Sequence, residues 1–383
     1  MFIPALSILI SWTVIHFYSK DLWGQTTEIM LWIYLFSHIC SWGSKDYLLK
    51  AFSVYPNKIP SLWYQSLISR LALLIPCIII LLCLFHSDLF FQLLLSAWLL
   101  IRYISISCEV FILYKKKLTL SIVIESLSLL MVFLFMYLFH VNYSSHKLIL
   151  SFIIADLLKS ILLVYFFRSE ISLPEKIIID YSPLVKALPF FLLGLSGLLQ
   201  SRTDQFFINH FLSNEEKAFY QVYMSLLMYV VSIPSYTITP YLKNLYRSQQ
   251  DLFRVIGRKQ ILLGLFILPL LTSIVYVLVK YIYSFDTSPY IILWGILYTF
   301  PVYYYSSRIY YLFKTDKEHL VVNVTFIGVF VNALLSWILI PMYKTNGGMA
   351  AAVVSQWVLF LLYRSYEIYS QKRGIFNITA TSK

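Results

Sequence analysis

The chain has 383 residues, of which 60% are hydrophobic and only 13% charged, with a mean hydropathy of +0.75. Soluble domains carry roughly twice that charged fraction, so the composition excludes a water-soluble globular protein and points to one embedded in a membrane. The net charge of +12 does not indicate nucleic acid, because the basic residues are dispersed between apolar runs rather than gathered on one soluble face.

Apolar runs bounded by charges or turn residues predict helices over 2–18, 26–44, 62–86, 88–114, 118–140, 147–168, 186–212, 217–242, 257–283, 288–313, 320–342 and 347–369. The runs are long and do not alternate every second residue, which favours helices over barrel strands. The opening "MFIPALSILISWTVIHFY" lacks the basic n-region and small-residue cleavage site of a signal peptide; it reads as an uncleaved first span that begins late. The longest connection, 169–185, divides the chain. The expected architecture is an all-α polytopic membrane protein with about twelve transmembrane helices, in two pseudo-symmetric six-helix lobes around a central cavity. The N-terminal lobe covers 1–168, the connection 169–185, the C-terminal lobe 186–369 and the tail 370–383. A faint internal echo links "DLWGQTTEIMLWIYLF" to "EKAFYQVYMSLLMYVV".

Lysine and arginine set the orientation. Alternate connections, together with the tail, hold 19 basic residues against 5 in the opposite set (Lys20, Lys147, Lys217, Lys280 and Lys344). That bias places both termini in the cytoplasm. The connections are short and leave no room for a soluble domain. Cys40, Cys77, Cys83 and Cys108 lie in apolar runs without metal-ligand or redox spacing, and read as small core residues. His86, His140, His146 and His210 sit near predicted outer edges, as interface residues do. No nucleotide, protease or hydrolase motif is present, no carboxylate pair shares a helix face, and no metal or cofactor is expected.

The informative residues are charges inside the spans. Arg70, Arg102, Lys159, Arg202, Arg308 and Arg364 are six basic residues within the runs. Each costs about 2.5–3.5 kcal/mol at a helix centre, so each needs a wet cavity, a partner or an interface to reach. Asp156 and Lys159 share a face three residues apart and are expected to pair. Arg102 and Glu109 share a face but stand two turns apart, and Arg102 is expected to face a polar interior. Arg202 and Asp204 cannot pair locally, because side chains two apart point about 200° from each other. Each therefore needs its own partner, and a substrate-facing role and a helix–helix clamp stay open. In "TFPVYYYSSRIYYLF", Tyr304, Arg308 and Tyr311 recur at helical spacing below Pro301. Such a stripe suits sugar rings and phosphates, and equally anchors a helix at the interface.

"RTDQFFINHFLSNEEKAFYQVYMSLLMYVVSIPSYTITPYL" resembles the seventh and eighth helices of the Wzx-type O-antigen (oligosaccharide) flippases. These belong to the multidrug/oligosaccharidyl-lipid/polysaccharide (MOP) exporter superfamily. Arg202, Asp204, Glu215, Tyr220 and Pro240 stand in the family's order, while Phe219 replaces its usual glycine. "SKDLWGQTTEIMLWIYLFSHICSWGSKDYLLKAFS" looks like the family's first turn and second helix, with Gly24 in the expected place; the first helix is shorter than the family's.

The resemblance implies a transporter rather than an enzyme. It would move an undecaprenyl-diphosphate-linked oligosaccharide from the cytoplasmic to the periplasmic leaflet of the bacterial inner membrane by alternating access. It would act as a monomer, associated with a polysaccharide polymerase and a chain-length regulator. Arg102, Arg202, Asp204, Tyr304, Arg308 and Tyr311 would then contact substrate, with Glu125, Asp156 and Lys159 as coupling or structural pairs. This reading requires guanidiniums facing a wet interior; one-for-one neutralisation by carboxylates in dry packing would defeat it. The alternatives are a membrane O-antigen polymerase or polyprenyl-sugar transferase, disfavoured by the short outer connections, and a multidrug cation antiporter, which would want deep acids without so many deep arginines.

Overall fold

The described parts of all twelve predicted runs fall on helices in the computed structural model, which describes residues 2–85, 88–139, 144–171, 180–241, 245 and 252–372. His86, His140, Lys176, Lys243, Arg247, Arg373 and Lys383 lie outside the described residues, as do 172–179 of the long connection and all of the tail beyond 372. In chain order the helices are α1 (Phe2–Phe17), α2 (Lys20–Ser41), α3 (Ser44–Val54), α4 (Ile59–Leu84), α5 (Leu89–Tyr114) and α6 (Leu118–Leu138). There follow α7 (Ser145–Phe166), α8 (Ser182–Phe211), α9 (Asn214–Ile238), α10 (Leu252–Val277, continued by a π turn at Leu278–Ile282), α11 (Tyr290–Lys314) and α12 (Glu318–Lys372).

Among the described residues, eight helical segments are long and apolar enough to cross a membrane: α4 to α10 and α12. The last is two helical runs, because Lys344 breaks the register at φ 54°, ψ −134°. Gly347 makes that junction feasible: a Cβ there would lie 2.1 Å from the Leu339 carbonyl oxygen. Helices α1, α2 and α11 fall short of the measure; α2 carries Asp21, Gln25 and Glu28 in its first half, and α11 is rich in tyrosine.

Two boundaries differ from expectation for identifiable reasons. Helix α2 begins six residues early because Ser19 caps it, its hydroxyl accepting from Leu22 N at 3.0 Å. Helix α3 lies where the sequence suggested only a basic connection; it is amphipathic and buries Ser44, Leu48 and Phe52 while Lys50 stays exposed. The α2–α3 corner turns through Trp42 and Gly43, both left-handed (φ 46° and 64°). A side chain at Gly43 would place its Cβ 2.5 Å from Phe191 N. Trp42 fixes the corner by stacking on Phe191 at 4.0 Å and donating its indole N–H to the Leu184 carbonyl at 2.9 Å.

The chain forms two compact units, Met1–Leu198 and Leu199–Lys383. In the first, α5 and α6 both pack on α7, α2 lies against α4 and α5, α3 against α5, and α1 against α6. One apolar core gathers Phe36, Leu81, Trp98 and Leu99; a second gathers Phe52, Trp63, Phe111 and Phe167. In the second unit, α10 and α12 pack on α11, and α9 contacts both α10 and α11. Large apolar side chains such as Phe266 (80% exposed) and Tyr137 (79%) face outward, as a lipid-facing surface requires. Cys40, Cys77 and Cys108 are buried as expected, but Cys83 is exposed: it lies on the outward face of α4 rather than in the core.

Candidate functional site

Apart from Arg70, the first unit sets its embedded cations against carboxylates, in two groups. Arg102 stands mid-way along α5, about 18–20 Å from either end at 1.5 Å per residue. Its Nη1 lies 2.9 Å from Asp156 Oδ2 on α7, and its Nε donates to Ser37 Oγ on α2 at 3.2 Å. The same carboxylate oxygen accepts the Trp98 indole N–H at 2.6 Å, and the guanidinium sits 4.6 Å above the Tyr34 ring. Farther along α5 and α7, Lys159 Nζ bridges Glu125 at 2.8 Å and Glu109 at 3.5 Å, and Lys45 on α3 reaches Glu109 at 3.4 Å.

This corrects the expected Asp156–Lys159 pair. Although the two share a face, Asp156 turns to Arg102 and Lys159 to the glutamates of α5 and α6. Inter-helix partners offer each charge a closer counter-ion than its own helix does. Arg102 accordingly has its own carboxylate, and the two side chains are 19% and 18% exposed.

Arg70 resolves into a structural role. It is fully buried and donates to the carbonyls of Ser66 (2.9 Å), Cys40 (3.3 Å) and Ser41 (3.5 Å) and to the Ser107 hydroxyl (3.1 Å). Cys40 and Ser41 end α2, whose last carbonyls have no intrahelical partner, so a cation there satisfies them and opposes the negative end of the helix dipole.

The second unit arranges its charges differently. Asp204 on α8 is 1% exposed and accepts the Tyr220 hydroxyl of α9, so its partner comes from the adjoining helix. Arg202 donates from Nη1 to Gln205 Oε1 at 2.9 Å and has no carboxylate within ion-pair distance among the described residues. A buried polar band continues from Gln200, whose Nε2 donates to Ser355 Oγ at 2.8 Å, while the Tyr305 hydroxyl donates to Gln356 Oε1 at 2.5 Å. On α11, Arg308 makes a two-point pair with Glu367 of α12, Nη2 to Oε1 and Nε to Oε2, both at 3.1 Å. Tyr304 donates its hydroxyl to the same carboxylate at 3.0 Å. Helix α11 runs through Pro301 without interruption.

The expected stripe is therefore split. Tyr304 and Arg308 converge on Glu367, whereas Tyr311 packs edge-on against Phe253 in a small apolar cluster with Ile238 and Leu245. Residue 311 is one turn past Arg308, where α11 already faces α10. The requirement of free guanidiniums also fails at two of three positions, since Arg102 and Arg308 each meet a carboxylate. Arg202 meets it. Arg364 is exposed near the end of α12, as a residue reaching toward an interface would be. His146 contacts the Phe91 ring and His210 the Phe211 ring.

Sequence reasoning passed over Trp98, Ser37, Tyr34, Gln205 and Glu367. One signal was available: Glu367, like Glu109, is an acid inside a predicted span, where a carboxylate needs a partner of opposite charge. Nothing in the sequence pointed to Trp98 or Gln205, whose role depends on which neighbour they meet.

No family model and no curated protein matches the sequence. Solved structures do match its fold. The lipid II flippase MurJ, in an inward closed conformation, aligns with a TM-score of 0.76 at 12% identity, over 97% of this chain and 86% of that one. A multidrug resistance MATE family transporter of the MOP superfamily, inward-facing, aligns at 0.65 and 11% identity, over 99% and 96%. A MOP superfamily transporter from Pyrococcus furiosus aligns at 0.61 and 12% identity, over 97% and 94%. At such identities the likeness establishes the fold: an all-α polytopic membrane protein, folded like transporters of the MOP superfamily.

Proposed function

We propose that the chain is a flippase, carrying an undecaprenyl-diphosphate-linked oligosaccharide (an O-antigen or similar surface-polysaccharide repeat unit) from the cytoplasmic to the periplasmic leaflet of a bacterial inner membrane by alternating access. The observation that carries this reading is the fold likeness to a lipid II flippase over 97% of the chain. The residues quoted for the Wzx-type resemblance support it independently.

The physical task matches the residues. A polyprenyl tail stays in lipid while the sugars and the diphosphate cross, and cationic side chains inside the protein lower the barrier for the anion. Outward movement of the anion across an inside-negative membrane gains about 2.3 kcal/mol per charge per 100 mV if the charge crosses the whole field. Arg202 is the side chain assigned to the polar head, whereas Arg102 and Arg308 are held by Asp156 and Glu367. Asp156, Glu125 and Lys159 hold the network around Arg102, and Tyr311 belongs to the packing of α10 and α11. The protein acts as a monomer with both termini cytoplasmic, alongside the polymerase and chain-length regulator of the same polysaccharide.

Deletion of the gene should abolish the surface polysaccharide and retain lipid-linked repeat units inside the cell. The wild-type chain should restore export, and Arg202→Ala should not, while still reaching the membrane. Normal surface polysaccharide in the deletion strain overturns the reading. The likeness to a multidrug MATE transporter favours drug export as a second reading. Drug hypersensitivity of the deletion strain with its polysaccharide intact would select that one.

A further inference from the structure

The turns joining α5 to α6 and α11 to α12 are built alike. In the first, the Lys117 N–H closes on the Ile112 carbonyl at 2.9 Å and the Lys116 N–H on that of Leu113 at 3.2 Å. In the second, Lys317 closes on Leu312 at 2.9 Å and Asp316 on Phe313 at 3.4 Å. Each turn passes through one left-handed residue, Lys116 (φ 56°) or Asp316 (φ 53°).

Their charges are handled differently. In the second turn Asp316 and Glu318 accompany the lysines, which bond within the protein: Lys314 Nζ donates to the Leu245 carbonyl at 3.1 Å and Lys317 Nζ to the Tyr366 hydroxyl at 2.9 Å. In the first, Lys115, Lys116 and Lys117 follow one another without an acid. Lys115 takes Glu170 at 2.7 Å. Lys116 and Lys117 are exposed, as is Arg168 at the end of α7, and none of the three has a carboxylate within ion-pair distance among the described residues. Lysine also stands at a left-handed position that aspartate or asparagine adopts more readily, so the turn carries its third cation against local preference.

What these cations adjoin is apolar. Lys117 Nζ lies 6.0 Å from the Phe167 ring, and the Arg168 guanidinium 5.3 Å from the Tyr165 ring. Arg168 continues an exposed stripe of α7 through Leu157, Ile161 and Tyr165 at helical spacing, and Leu118 beside Lys117 is exposed too. A ligand that covers both parts must join an anion to hydrocarbon. An acidic peptide would satisfy the cations and leave the stripe bare; an apolar helix would do the reverse.

We propose that Lys116, Lys117 and Arg168 hold the headgroup of an anionic phospholipid, with its acyl chains along the α7 stripe. The phosphodiester oxygens accept from Lys117 and Arg168, so the lipid ties the α5–α6 turn to the end of α7 as an acidic side chain would. With both termini cytoplasmic, the lipid belongs to the inner leaflet. The site does not depend on what the chain carries.

The test titrates the full-length protein, delipidated in detergent, with phosphatidylglycerol or phosphatidylcholine of equal chain length and counts bound lipid by native mass spectrometry. The wild type should retain phosphatidylglycerol in preference. Lys117→Gln/Arg168→Gln should weaken phosphatidylglycerol about tenfold or more and leave phosphatidylcholine unchanged, with a smaller loss for Lys116→Gln. Two control pairs remove the same charge elsewhere, Lys314→Gln/Lys317→Gln and Lys50→Gln/Lys58→Gln, and should keep the preference. A wild type without preference, or a Lys117→Gln/Arg168→Gln variant that keeps it, overturns the site. An equal loss in the control pairs makes the attraction one of diffuse surface charge and overturns it as well. Displacement of bound phosphatidylglycerol by an equimolar polyprenyl diphosphate would make this a substrate station, and the assignment to a resident phospholipid would fall.

Discussion

The two units treat buried charge in opposite ways. In the first, Lys45, Arg102 and Lys159 face Glu109, Glu125 and Asp156, three cations against three carboxylates spread over α3, α5, α6 and α7. In the second, Glu367 holds Arg308 at two points, but Arg202 keeps only an amide. Helices in lipid gain little from burying apolar surface against each other, so polar pairs contribute to holding them together. The closed network of the first unit spends its charge on that task. Arg202 bonds an amide on its own helix and makes no inter-helix ion pair among the described residues. An embedded cation is therefore read by its partners rather than by its depth.

This contrast can be broken by measurement. Asp156→Ala leaves Arg102 facing an emptied partner site and should destabilise the protein by about 3–5 kcal/mol, seen as a large drop in thermal unfolding temperature in detergent. The double variant Arg102→Met/Asp156→Leu should recover most of the loss; a single variant costing under about 1 kcal/mol would remove the network's structural role. In the second unit, Tyr304→Phe takes one hydroxyl from the Glu367 carboxylate and should cost about 1.5–3 kcal/mol by the same assay. Arg202→Met breaks one hydrogen bond to an amide and should cost only about 0.5–1.5 kcal/mol, yet abolish polysaccharide export in the deletion strain. A stability loss as large as that of Asp156→Ala would make Arg202 a clamp. The smallest effect belongs to Lys344, whose pair with Glu216 at 3.3 Å is 70% exposed on the lysine side. Lys344→Gly gives up an exposed ion pair worth at most about 1 kcal/mol and relieves a left-handed backbone (φ 54°) that costs about 1–2 kcal/mol, so it should leave unfolding unchanged or slightly delayed.

Much of the helical layout was legible because apolar runs of this length have few alternatives in a membrane. The failures were local. "KDLWGQTTE" looked like a connection because of its charges, but Ser19 caps it and its polar residues lie along one helix. "SKDYLLKAFS" looked like a basic loop, although Leu48 and Phe52 four apart already marked one buried face. At the candidate site, spacing showed that Arg202 and Asp204 needed separate partners, and Tyr220 and Gln205 supply them. Spacing misled at Asp156 and Lys159, because adjacency on one helix says nothing about stronger partners on the next.

By itself, then, the sequence determined that this is a membrane-embedded helical chain and which polar residues must lie inside it, because composition and run length act residue by residue. Which of those charges are neutralised was decided only by tertiary structure. A salt bridge between α5 and α7 or between α11 and α12 depends on which helix faces touch, and the 50–60 residues separating Arg102 from Asp156 and Arg308 from Glu367 carry no local record of that.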